Sequence, residues 1–409
     1  MICEFTGMDR ATFCNTGSEA VMASFRVART VTGRDKIVYF YGDYHGVFDE
    51  VLGRPALFDG APGALPIAPG IPHLANIMIL EYGNPASLDA IRNHADEIAA
   101  VIVEPVQARH PGLQPREFLH ELRRVTRERE IAFIFDEVIT GFRIAPGGAQ
   151  EYFGVKADLA TYGKVIGGGM PIGVLAGSAQ YMDVLDGGFW QFDDDSSPPT
   201  GVTFFAGTFV RHPLAMAAAH AVLKHLKAAG PSLQEQANKV TERFVDRAND
   251  FFRGVQLPMQ LQRFSTTFYY DFHSDLKYAG LLFYYLRDRG VHIWEGRVGH
   301  LSIAHTDEDM DRVLQALRES VEEMQAGGFL PEKASADSPG LPVTGQSKIA
   351  GPDTSPMTEA QREIFFSVQM GDDANCSYNE SSIITFNGKL DVPALEGAFC
   401  QVLERHPAL

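Results

Sequence analysis

The sequence predicts an α/β protein: a mainly parallel central sheet flanked by helices, followed by a smaller α+β C-terminal domain. Three observations carry that expectation. Lys36–Tyr41 (KIVYFY), Ala99–Glu104 (AAVIVE) and Ile131–Phe135 (IAFIF) are apolar runs of strand length, and the second is continuous, as strands covered on both faces are. Phe118–Glu130, between the last two, has the amphipathic spacing of a helix linking parallel strands. Beyond the helix that starts near Pro213 the texture changes to helices and alternating strands, which marks a second, smaller domain.

Taken in order, Met1–Arg10 carries no signal for a domain start. Ala11–Asn15 leads into Thr16-Gly17-Ser18-Glu19-Ala20, after which Ala20, Val21, Met22, Phe25, Ala28 and Val31 recur at helical spacing until Gly33. Thr16 or Ser18 can cap that helix, and Gly17 leaves its free N–H groups open to an anion, the geometry of a phosphate cup. The same residues also suit a plain capped helix. Gly42-Asp43-Tyr44-His45-Gly46 is a loop whose aromatic ring can stack on a flat ligand or be half-buried. Gly53–Pro72, rich in Pro and Gly, reads as an irregular surface loop. The strands at Ala99 and Ile131 run out into Glu104-Pro105 and Asp136-Glu137. Ligands of open α/β sheets bind beyond the carboxyl ends of the strands, so both acids fall at that edge. A structural salt bridge from Asp136 to Arg143 is the other reading.

Ala157–Gly169 (ADLATYGKVIGGG) is the most informative stretch. A strand-like run ends at Gly163, a single lysine follows, then Val165-Ile166 and three glycines. Absent side chains let a ligand lie against this backbone. Desolvation of Lys164 there favours the neutral amine that Schiff-base chemistry with an aldehyde needs; a surface lysine beside a flexible turn has the same sequence. Gly173–Ser178 is a further strand and Asp186–Gly201 a polar loop with a solvated Asp193-Asp194-Asp195. Ser232–Arg253 is helical, Met259–Phe272 strand-rich, Leu276–Arg289 helical, and Val291–Trp294 and Leu301–Ala304 short strands. Thr306 caps a last helix with Asp307, Glu308 and Asp309 in its first turn, as the helix dipole favours. Gly327–Pro356, with five prolines and no periodicity, is a linker. The expected domains are 1–210, 211–326, the linker 327–356, and a short piece, 357–409, with too little room for another core.

Composition narrows the function classes. Of 409 residues, 45% are hydrophobic and 21% charged, ordinary for a globular protein. Lys and Arg total 35 against 52 Asp and Glu, a net charge of −17, which disfavours nucleic acid and anionic membranes as partners. Four scattered cysteines without a CxxC pair argue against a zinc cluster or a disulfide framework and for a cytoplasmic protein. HExxH, GxSxG and GxxxxGK are absent, and the glycine run misses the dinucleotide pattern at Ile172.

Six motifs in order, NTGSEA, GDYHG, VIVEP, IFDEVITGFR, LATYGKVIGGGMPIG and FAGTF, resemble the class III pyridoxal-phosphate aminotransferases over roughly Ala11 to Met324, most nearly the glutamate-1-semialdehyde aminomutase branch. The resemblance implies the type I fold of pyridoxal-phosphate-dependent transferases and pyridoxal 5'-phosphate as cofactor. It implies that Lys164 holds the cofactor through a Schiff base and carries a proton between carbon centres. Asp136 would pair with the ring nitrogen, Val138 pack on the ring, Tyr44 stack on it, and Gly17 and Ser18 bind the phosphate. His45 and Glu104 occupy positions near the substrate. Thr208 matches a residue that reaches the phosphate of the neighbouring subunit, which implies a homodimer. Family members begin well before this chain does, so the N-terminal part of the large domain is expected to be missing and the chain to be a fragment.

Met357–Leu409, preceded by Ser355-Pro356, resembles the opening of a nonribosomal peptide synthetase condensation domain through SPMTEAQREIFF, SYNES and LDVPALEGAFCQVLERHPAL; its HHxxxDG would lie downstream of Leu409. The whole arrangement resembles hybrid polyketide/peptide synthetases of the microcystin and nodularin type, and those of the iturin and mycosubtilin type share it. This implies transfer of an amino group from an amino acid donor, glutamate by expectation, to a β-keto acyl chain on a carrier-protein domain, with synthetase domains as neighbours. A free-standing aminomutase and a non-catalytic docking segment are the alternatives.

Overall fold

In chain order the first nine strands are β1 (Arg10–Cys14), β2 (Lys36–Phe40), β3 (Gly53–Phe58), β4 (Ala61–Pro66), β5 (Ile77–Leu80), β6 (Ile98–Val103), β7 (Ala132–Asp136), β8 (Leu159–Tyr162) and β9 (Gly173–Gly177). The computed structural model describes residues 1–331 apart from 59, 189, 192, 199, 200, 274 and 275. Seven of these strands form one sheet in the order β1-β9-β8-β7-β6-β2-β5. All its pairings are parallel except those of β9, which runs against both β1 and β8. Parallel neighbours need crossovers, and the helices Pro85–Asn93, Arg116–Glu128 and Gly148–Phe153 lie between them in the chain.

The period-two alternation of strand side chains splits the apolar residues between two cores. Val38, Phe40, Val101, Val103, Phe133 and Phe135 enter one, and Ile37, Tyr39, Ala100, Ile102, Ala132 and Ile134 the other. Both faces are therefore covered, which explains why the sequence of β6 is apolar throughout. A second sheet of β10 (Met259–Phe264), β11 (Thr267–Phe272) and β12 (Gly299–His300) packs with the helices Ser232–Gly254, Leu281–Asp288 and Asp307–Ala326. Phe244, Phe252, Leu261, Phe268 and Leu317 form its own core.

Both threonine caps form with complete capping boxes: Thr16 with Glu19, and Thr306 with Asp309. Gly33 ends the first of these helices in the left-handed conformation. Elsewhere the structure corrects the sequence. Gly53–Pro72 is not an irregular loop, because it contains the hairpin β3–β4. Its prolines are tolerated because a two-stranded ribbon is all edge, where a missing N–H costs little. Neither β5 nor the helix Pro85–Asn93 was expected; β5 is four residues long, too short for its period to show. The strands expected at Val291–Trp294 and Leu301–Ala304 do not form. In this stretch Gly299–His300 pairs with β11 and the Leu301 amide donates to Thr266 O, while Leu301, Val291 and Ile293 fill core. The helix expected from Leu276 begins at Leu281.

Leu330 is still packed into the second core, so ordered packing extends past the expected start of the linker at Gly327. Contacts divide the chain into Met1–Pro342 and Val343–Leu409; the rest of the linker and the 357–409 piece fall outside the described residues. Among the described residues, no helix is long and apolar enough to cross a membrane.

One close approach ties β9 to the start of the first long helix. A Cβ on Gly173 would lie 1.9 Å from the carbonyl oxygen of Thr16, the helix N-cap. Gly173→Ala must push that turn aside, at a cost of about 1–3 kcal/mol or more, the range for overpacked cores. The expected result is a lower thermal midpoint together with weaker binding of inorganic phosphate or pyridoxal phosphate, read by calorimetry.

Candidate active site

The carboxyl ends of β2, β6, β7 and β8 converge on a cavity of about 340 Å³, within the usual range for small-molecule sites. It is lined by Thr16, Gly17, Ser18, Tyr44, His45, Glu104, Asp136, Val138 and Lys164, among others. Every site residue singled out in the sequence is thus in one place, except Thr208. That residue lies on an exposed segment and does not line the cavity.

Asp136, the last residue of β7, forms the cavity floor and is 5% exposed. Its Oδ1 accepts from Thr161 Oγ1 (3.0 Å) and from the Val138 amide (3.1 Å). Thr161 stands directly opposite Asp136 in the β7–β8 register. Asp136 Oδ2 accepts from His45 Nδ1 at 2.7 Å, and His45 Nε2 reaches Asp43 Oδ2 at 3.2 Å. Since both partners of this buried ring are carboxylates, both ring nitrogens carry protons. Burial alone would lower the pKa of His45, but the bonds to Asp136 and Asp43 and their charges raise it to about 10. Asp136 does not pair with Arg143, which bonds instead to Ile139 O and Thr266 Oγ1.

Glu104 follows β6 and is also buried. One of its oxygens accepts the Tyr44 amide at 2.8 Å, which fixes the loop from which the Tyr44 ring projects, 56% exposed, at the cavity mouth. Burial, and then the nearby charge of Asp43, raise Glu104 to about 8. Asp43 is raised too, by burial, against bonds from His45 and Gln107. Two aspartates against one imidazolium leave negative charge facing the cavity floor.

Opposite this floor, the Gly17–Thr32 helix points its N-terminus into the cavity. A Cβ on Gly17 would lie 3.0 Å from a Val138 methyl, so a side chain there would crowd the space above the amides. Gly46 (φ +116°) closes over the same turn, where a Cβ would meet Ser18 Oγ at 2.3 Å. Lys164 opens a short turn, Lys164–Gly167, directly after β8 and Gly163, and adopts φ 44°, uncommon for a residue with a side chain. Its amine is held below the usual lysine value, first by lost hydration and also by Arg143, against the opposing pull of Asp136 and Glu104.

The donor set fits a flat, phosphorylated pyridinium aldehyde. Free helix N–H groups suit its phosphate, an acid on the floor its ring nitrogen, and a lysine of lowered pKa its aldehyde. Asp43, Gln107 and Thr161 complete the floor. The sequence offered only one signal for them, the acid inside GDYHG, because Thr161 requires the strand register.

The titration of this cluster sets a pH dependence. A histidine raised from 6.5 to about 10 contributes stability that is complete below about pH 6.5 and lost as pH rises through 10. Glu104, raised from 4.5 to about 8, is favoured in its neutral form, so ionising it also removes stability as pH rises through that interval. The thermal midpoint of the cofactor-free chain should therefore fall from pH 6.5 to 10, and His45→Gln should flatten the upper part of that fall.

Fold and cavity together define a pyridoxal-phosphate-dependent transferase of the aminotransferase kind. Residues 1–319 match the class III aminotransferase family, to which the chain belongs. It is 35% identical to the glutamate-1-semialdehyde 2,1-aminomutase of Archaeoglobus fulgidus, over 78% of this chain and 76% of the relative. It is 36% identical to that of Ruminiclostridium cellulolyticum, over 78% and 74%. Among solved structures it resembles an omega-transaminase from Sphaerobacter thermophilus (TM-score 0.71, 29% identity, 79% of this chain and 76% of that one). It also resembles a β-phenylalanine aminotransferase from Variovorax paradoxus (TM-score 0.66, 30% identity, 81% and 74%).

Proposed function

We propose that this chain is an aminotransferase that passes an amino group from an amino acid donor, glutamate in the first instance, to a β-keto acyl chain held on a carrier domain of a hybrid polyketide/peptide synthetase. The observation that carries the transamination is the convergence of Lys164, Asp136 and the Gly17-Ser18 helix start on one cavity. The synthetase setting rests on the condensation-like sequence of Met357–Leu409.

The cofactor supplies an electron sink for charge developing on the substrate carbon. Lys164 holds the cofactor and, as a base of lowered pKa, moves the proton between carbon centres. Asp136 keeps the ring nitrogen protonated, and His45, with both nitrogens occupied, positions Asp136 and does not touch substrate. Gly17 and Ser18 would hold the phosphate, and Val138 and Tyr44 would contact the ring. Glu104 sits near the substrate and anchors the Tyr44 loop. Thr208, exposed in the single chain, serves the phosphate site of a second subunit in a homodimer.

The curated relatives favour a second reading, an aminomutase that moves nitrogen within one small semialdehyde. The two separate on isotope transfer. With ¹⁵N-glutamate and a carrier-bound β-keto thioester, the transferase yields a ¹⁵N-amino acyl chain. An aminomutase isomerises glutamate-1-semialdehyde with no external donor and leaves the thioester unchanged. An unlabelled thioester together with glutamate-1-semialdehyde that is not isomerised overturns both.

A further inference from the structure

Arg143 sits seven residues after Asp136, the end of β7, where the first sheet meets the Ser265-Thr266 turn between β10 and β11. Its Nε donates to Ile139 O (2.9 Å) and one Nη to Thr266 Oγ1 (3.3 Å), and Ser265 Oγ donates to its carbonyl (3.5 Å). Among the described residues no carboxylate forms an ion pair with this half-buried guanidinium, and its second Nη makes no hydrogen bond. It lines a narrow recess with Gln107, Thr140, Ser265 and Thr267. Ile139 lines both this recess and the main cavity. With about 10 Å³ free, the recess has room for about one water; it admits the terminal oxygens of a ligand, not its body.

A tether between two sheets needs only neutral hydrogen bonds. A desolvated cation with no counter-charge is costly, and an arriving anion offsets that cost. The acids of the site all lie elsewhere, on the floor beneath Asp136, while Arg143 is near enough to Lys164 for their like charges to repel. Glu104 and Asp136 thus line the main cavity, and Arg143 stands in the adjoining recess that shares Ile139 with it.

From this geometry we infer that Arg143 is the carboxylate subsite for the amino acid donor, taking the oxygens at its free guanidinium edge while the donor's amine faces Lys164. The inference rests on the aminotransferase reading of the site. A carrier-bound β-keto thioester has no carboxylate to place there, so Arg143 selects the donor and leaves acceptor binding alone. A planar guanidinium suits a carboxylate better than a lysine would.

The test uses cofactor-loaded protein titrated with L-glutamate, L-alanine and n-butylamine, following the cofactor's visible absorbance. Arg143→Gln should weaken glutamate by tenfold or more while leaving butylamine within twofold; parallel weakening of alanine assigns the α-carboxylate, and unchanged alanine the side-chain one. Equal weakening of glutamate and butylamine, or of neither, overturns the subsite. Should Arg143→Gln not fold, Arg143→Lys keeps the charge and should weaken glutamate three- to tenfold with butylamine unchanged; equal effects again overturn it. Wild-type protein that responds to no amine overturns the aminotransferase reading and this inference with it, whereas a wild-type response unaltered in the variants overturns the subsite alone.

Discussion

Lys164→Ala should leave a folded protein that binds pyridoxal phosphate without fixing it. Borohydride reduction, which should join the cofactor to the wild-type chain at residue 164, should then label no peptide, and the turnover rate should fall by about 10²–10⁴-fold from the lost proton transfer alone. Lys164→Arg should be no better, since a guanidinium cannot be deprotonated in a protein. The amine lies on the cavity wall, so either variant removes a functional group without emptying a core, and stability should change little. Peptide mass mapping after reduction checks the site; label on another lysine would remove Lys164 from the mechanism.

Asp136→Asn has the second large effect, and it acts on two quantities. The carboxylate accepts from Thr161, Val138 and His45; an amide keeps the shape but loses the charge. Activity should fall on the order of 10²–10³-fold, the size seen when one preorganised electrostatic partner is removed. Breaking a buried ion pair costs about 3–5 kcal/mol, and Asp43 retains part of the hold on His45, so the lower end is expected. Adding His45→Gln should restore much of the thermal midpoint but none of the rate. Recovery of both in the double variant would make Asp136 a structural acid only.

Much of the site was legible because it lies where apolar strands stop. Asp136 and Glu104 were visible as acids at the ends of buried runs, and Lys164 as a lone cation amid glycines. The Asp43–His45–Asp136 chain was not, since it joins residues 91 positions apart and no periodicity encodes that contact. Thr161 needed the register of β8 against β7. In the fold, the strands buried on both faces announced themselves, whereas the proline-bearing hairpin at Gly53–Pro66 and the four-residue β5 did not. At Val291–Trp294 the apolar signal was real, but it described core filling and not backbone pairing. Thr208 lies exposed and away from the cavity of the single chain, and the second-subunit role proposed for it has no geometric trace within one chain.

The reversed strand β9 has a kinetic consequence. It joins β1 to the sheet, pairing Arg10 with Gly177, so the loop to be closed before the helix at Gly17 can be seated spans 177 − 10 = 167 residues. Closure entropy over such a span delays formation, and contacts of this range slow folding. The helix start at Gly17 should accordingly be among the last parts to be assembled, leaving a cofactor present during refolding with nothing to grip until the chain is nearly finished. It should retard unfolding while leaving the refolding rate unchanged.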